Sequence, residues 1–136
     1  MPKGSNEIVS AVYSHLCTSE FSGVKKVRLF ADGCCGQNKN SSMLVMCSKW
    51  LATQAPPKVQ TLELIFPIPG HSFIPPDRVF GLIEKEVWAR NNISPEEYFE
   101  IYGNYGKVIR LGMDIPIQDC KSATNEILKA RSFWHF

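Results

Sequence analysis

Segments with strand character and segments with helical character alternate through most of this sequence, and no strand-like run follows another directly. A chain ordered this way joins its strands through helical crossovers, which makes neighbouring strands parallel and places the helices over the sheet. The expectation is an α/β fold of about three mostly parallel strands with flanking helices. Residues 5–17, SNEIVSAVYSHLC, carry Ile8, Val9, Val12, Tyr13 and Leu16 at helical spacing, with Ser5 and Asn6 expected as caps. VKKVRLFA, 24–31, reads as the first strand. NSSMLVMCSKWLATQ predicts a helix capped by Asn40 or Ser41, with Met43, Leu44, Cys47, Trp50 and Leu51 as its packed face.

VQTLELIFPIPG, 59–70, holds the second strand, with Leu62, Leu64 and Phe66 alternating until Pro67 ends the ladder. A loop then leads into a third helix whose first turn suits Pro75 and Pro76. SPEEYFEIYGNYG predicts a short capped helix ending at Gly103, KVIRLGM a third strand over 107–113, and IQDCKSATNEILKA a last helix.

The 136 residues suffice for one domain with a real core and not for two. No apolar run approaches the ~18 residues that a membrane helix needs, and MPKGSNEIVS lacks the apolar stretch of a secretory signal. A net charge of +2 is too small to argue for nucleic acid by itself. The five cysteines are odd in number and scattered, which favours reduced, intracellular thiols over a disulfide scaffold. Adjacent Cys34 and Cys35 do not offer the Cys-x-x-Cys spacing of a zinc site.

Function in parallel sheets gathers at the carboxyl ends of the strands. The first strand delivers Asp32 there; the second leads to His71 and, through a Pro-rich loop, to Asp77. If the two strands are neighbours, these groups emerge on one edge. Asp77, Gly81 and Glu84 are spaced i, i+4 and i+7, so they share a helix face with a notch between the carboxylates, while Phe80, Ile83 and Val87 form the expected core stripe. Carboxylates converging from separate elements suit hard divalent cations, and two such ions clamp the attacking and leaving oxygens of a phosphodiester. Lys39 and Arg78 are candidates to meet phosphates beside the carboxylates, with ordinary solubilising charge as the equal alternative for each.

Each residue also has a plainer reading. Asp32 suits an Asx-type turn, Asp77 a helix first turn, His71 a hydrogen-bonded loop, and Glu84 a solvated helix face. Cys34 and Cys35 read as small turn residues, since no Cys-His pair is evident nearby; a cysteine-based enzyme is the third option.

LFADGCCGQNKNSSMLVMCSKWL and IFPIPGHSFIPPDRVFGLIEKEV together resemble a family of transposon-derived proteins of animal genomes, relatives of DDE-type transposases with an RNase H-like fold. The similarity runs from about Gly4 to Lys129. The resemblance implies that Asp32 is the second acid of the triad and Asp77 the third, with Glu84 as the alternative and His71 assisting. It implies Mg²⁺ or Mn²⁺ as cofactor, held by Asp32 and Asp77, with DNA as partner and the nucleus as location. Gln37, Asn38 and Lys39 match the motif and are expected to contact DNA or order the loop.

The departure from the pattern is the first triad acid. No aspartate precedes Asp32, and the acids ahead of it are Glu7 and Glu20. The chain therefore reads as a single partial RNase H-like domain over 1–136, the C-terminal part of a larger catalytic domain. Two hypotheses follow: a domain related to metal-dependent DNA cleavage and strand transfer, inactive as this fragment, and a domesticated, non-catalytic DNA- or protein-binding module. The missing strands leave a sheet edge through which homodimerisation is expected.

Overall fold

A computed structural model describes residues 4–31, 41–67 and 75–132. Its architecture is mixed α/β, with helices α1 (Ser5–Thr18), α2 (Ser41–Thr53), α3 (Pro75–Ala89), α4 (Pro95–Gly103) and α5 (Cys120–Ser132) and strands β1 (Lys26–Phe30) and β2 (Thr61–Ile65). The strands pair in parallel, from Lys26 opposite Thr61 to Phe30 opposite Ile65. α2 lies between them in sequence, as a parallel neighbour requires.

Alternation decides which sheet face is covered. Val27 and Leu29 on β1 and Leu62 and Leu64 on β2 turn toward one core with Val9, Leu16, Met43, Met46, Cys47, Trp50 and Val59. Trp50 is its largest member, 1% exposed, and Phe21 meets it edge-on at 5.5 Å between ring centroids. On the other face Glu63 lies 3.1 Å from both Lys26 Nζ and Arg28 Nε, and half-exposed Phe30 stands beside them. Parallel sheets usually carry helices on both faces. Among the described residues, this one is covered on a single face.

The third strand expected over 107–113 does not form. The Asp114 carboxylate accepts the Arg110 backbone N–H at 2.7 Å, Gly112 takes a positive φ of 85°, and its N–H donates to the Ile115 carbonyl at 2.8 Å. These bonds fold the segment into a turn and occupy groups that a ladder needs. The sheet thus has two strands among the described residues, not three.

Ser5 and Asn6 are not the caps of α1, since both lie inside the helix and Gly4 stands at its N-cap. Asn6 serves α5 instead: it accepts the Lys121 N–H at 2.9 Å and donates to Asp119 Oδ1 at 3.2 Å. One turn on, Ser10 accepts the Gln118 N–H at 2.9 Å. α5 is thereby pinned on α1 by hydrogen bonds that no local pattern reveals.

α4 follows the expected rule. Ser94 accepts the Glu97 N–H while the Glu97 carboxylate accepts the Ser94 N–H, a reciprocal capping box, and Pro95 opens the helix. Two residues expected to pack do not. Leu44 on α2 is 60% exposed and Phe80 on α3 is 57% exposed, whereas Ile83 is buried as expected. Among the described residues, α3 meets only α4 of the other elements, so its buried side is narrower than its apolar stripe.

Candidate functional site

β1 and β2 end side by side. The Ala31 N–H donates to the Ile65 carbonyl at 3.1 Å, extending the parallel ladder to the residue before Asp32. The chain leaving β1 toward Asp32 and the chain leaving β2 toward His71 and α3 therefore depart from the same edge of the sheet. Asp32, Gln37, Asn38, Lys39 and His71 themselves lie outside the described residues.

α3 carries the remaining candidates. Pro75 and Pro76 open it, and Asp77 occupies its first turn, where the positive end of the helix dipole favours a negative charge. Asp77, Arg78 and Glu84 are all exposed. Gly81 lies between the carboxylates on their common face, and a Cβ added there would meet no atom within 4 Å. The notch is therefore open space, not a close contact with another described element.

Helix geometry spaces the two acids along α3. Seven residues at 1.5 Å each put Asp77 and Glu84 about 10.5 Å apart along the axis. That figure is the rise between their backbones, and an ion held at 2.0–2.6 Å by both carboxylates would need the two side chains to turn toward each other across Gly81. Among the described residues no three His, Cys, Asp or Glu side chains are grouped to hold a metal ion. Asp77 and Glu84 alone do not make a metal centre.

The face does not stop at Glu84. One turn further it reaches Trp88, which is 85% exposed. The i, i+4, i+7 spacing that links Asp77 to Glu84 continues to i+11 at this tryptophan, a signal in the sequence that the carboxylate pattern by itself passes over.

The perturbed ionisable groups are elsewhere. Glu63 titrates below its usual range because Lys26, then Arg28, hydrogen-bond and attract its carboxylate. Asp119 is lowered chiefly by hydrogen bonds from Ser122 and Asn6, and Asp114 chiefly by the Arg110 N–H. Burial pushes the Cys47 thiol up to about 11. These shifts belong to the exposed sheet face, the start of α5, a turn and the core. A cavity of about 150 Å³ between α1, α2 and α5, bordered by Tyr13, Met46, Lys49, Cys120 and Thr124, includes neither α3 acid.

No protein-family model, curated protein or solved structure matches this chain. What is established is the mixed α/β architecture and its parallel strand pair, with no helix among the described residues long and apolar enough to cross a membrane.

Proposed function

We propose that this chain is a transposase-derived, RNase H-like domain related to metal-dependent DNA cleavage and strand transfer. The observation that supports it is the parallel register of β1 and β2, which starts the chain segments bearing Asp32 and Asp77 from one sheet edge. Asp32 from the first strand and Asp77 from the head of α3 are the metal ligands in this reading, with Glu84 as the substitute for Asp77. A divalent ion bound there supplies Lewis-acid activation of water or of a DNA 3′-hydroxyl. His71 assists at the same edge, while Gln37, Asn38, Lys39 and Arg78 meet the DNA. The domain belongs, in this reading, to the C-terminal part of a larger catalytic domain acting in the nucleus.

The test is a Mn²⁺ titration by calorimetry on the wild type, Asp32→Ala, Asp77→Ala and Glu84→Ala. Loss of binding in the first two variants with Glu84→Ala unaffected supports the assignment. Loss in Asp32→Ala and Glu84→Ala, with Asp77→Ala binding normally, moves the third acid to Glu84. No binding by the wild type sinks the metal assignment.

A second reading, a non-catalytic DNA- or protein-binding module, is favoured by the sheet itself. Among the described residues each strand is paired on one side only and one sheet face is uncovered. A second copy adding its own strand is the homodimer this arrangement suits. Light scattering decides that point, and a monomer at all concentrations counts against it.

A further inference from the structure

We propose that the C-terminal end of α3 is a stacking platform for an unpaired nucleobase, so that the chain binds single-stranded nucleic acid through Trp88. The proposal rests on the reading that the chain acts on nucleic acid, and it names the form of that nucleic acid and the residue that holds it.

Tryptophan is seldom so uncovered in a folded protein, because its ring is among the largest apolar surfaces a chain can remove from water. Trp88 is 85% exposed at a well-formed helical position, one residue before α3 ends. Beside it an open concavity of about 600 Å³ is bordered by Trp88, Arg90, Asn91, Asn92, Ile93 and Tyr98. Two aromatic residues, exposed Asn91 and Asn92 and the Arg90 side chain share this border, a set that matches a flat ligand with hydrogen-bonding edges. Unpaired bases are held in this way: the ring face stacks on an aromatic side chain, and the base edge finds amide or guanidinium partners.

The border is braced. Arg90 Nη2 lies 3.2 Å from Glu86 Oε1, and the Tyr105 hydroxyl donates to the other Glu86 oxygen at 3.1 Å. Asn92 adopts a left-handed φ of 57°, which turns the chain directly after α3, and the Ser94–Glu97 capping box then fixes the start of α4 and with it Tyr98. The platform is thus built from the ends of two packed helices.

Exposed Glu84, Lys85, Arg90, Asn91 and Asn92 stand near Trp88 together with Val87, Ile93 and Tyr98, and Val79, Phe80 and Leu82 are also uncovered on α3, so a protein surface is the competing occupant that the experiment separates. A duplex is disfavoured, because its bases are already stacked on one another.

The experiment is fluorescence anisotropy of a labelled short oligothymidylate and of a duplex of equal length, in EDTA, with the full chain as wild type, Trp88→Ala and Trp88→Phe. Circular dichroism confirms that the variants keep the fold. The expected result is tighter binding of the single strand than of the duplex, weakened roughly five- to a hundredfold in Trp88→Ala, the weight of one stacked base, and largely retained in Trp88→Phe. Wild-type affinity in Trp88→Ala, or no binding of the single strand by the wild type, overturns it. So does sedimentation showing that Trp88→Ala abolishes a wild-type dimer, which assigns the indole to a second copy. Mn²⁺ binding lost in Asp32→Ala and Asp77→Ala, alongside unaltered single-strand affinity in Trp88→Ala, sinks the platform alone. Trp88-dependent binding in a chain that takes no Mn²⁺ sinks the metal assignment alone.

Discussion

The Asn6 side chain, in the first turn of α1, accepts the backbone N–H of Lys121 at 2.9 Å across 115 residues of sequence. Its amide nitrogen also holds Asp119, whose own carboxylate accepts the Ser122 N–H at 3.2 Å. The opening turn of α5 is therefore satisfied partly from another helix, and the α1–α5 contact carries hydrogen bonds as well as apolar packing.

Asn6→Ala removes both bonds at once. The expected loss is about 0.5–2 kcal/mol, the range for deleting a helix N-cap, although Asn6 is not adjacent to α5 in sequence. Urea unfolding measures it. The midpoint should fall with an unchanged slope, and an unchanged midpoint would show that Asp119 caps α5 alone.

Trp50 fills the main core, yet its buried Nε1–H has no hydrogen-bond partner among the described residues. Two effects then oppose each other in Trp50→Phe: lost packing destabilises, while removing an unsatisfied donor stabilises. Trp50→Phe should therefore cost clearly less than the roughly 3–5 kcal/mol of Trp50→Ala. Comparable losses in thermal unfolding would mean that a bound water satisfies the indole.

Cys47 is held protonated by burial, up to about 11, whereas Cys17 is exposed. In native protein near pH 8, iodoacetamide should label Cys17 and spare Cys47, with peptide mapping as the readout. The linkage has a definite sign. A raised pKa in the folded state gives stability that is complete below the unfolded value of 9.0 and is lost as pH rises from there toward about 11.

Asp114, Asp119 and Glu63 shift the other way. Their lowered values mean stability that is present above the ordinary values of 3.8 and 4.5 and is lost as pH falls below them. Acid unfolding should therefore set in below this window, and Asp119→Asn should flatten it. An identical acid limb in Asp119→Asn would show that the cap does not sense protonation.

The sequence discloses what neighbours in the chain decide. Ser94, Pro95 and Glu97 announce α4 because a capping box closes over three residues. The alternation of Leu62 with Leu64 announces β2 because a pleat repeats every two residues, whereas Lys25, Lys26 and Arg28 around Val27 and Leu29 mark β1 as a strand and leave its register to the pairing with β2. Helical periodicity places Asp77 and Glu84 on one face. What remains hidden depends on partners far away or of unexpected kind. Asn6 resembles a cap for its own helix until α5 arrives; KVIRLGM resembles a strand until the Asp114 carboxylate takes the Arg110 N–H. Phe80 resembles a core residue because apolar spacing cannot tell how wide a neighbouring helix will be.

The pairing of α3 with α4 has a dynamic consequence. Ile83 and Ile101 are buried apart from the cluster around Trp50, and α3 touches no other described helix or strand. Amide exchange should thus divide the chain into two cooperative units, with α1, α2, α5 and the sheet protected by global unfolding and the α3–α4 pair opening at lower free energy. Binding elements are commonly drawn from such easily opened regions. The helix bearing Asp77, Glu84 and Trp88 should therefore shift or open while the main core stays closed.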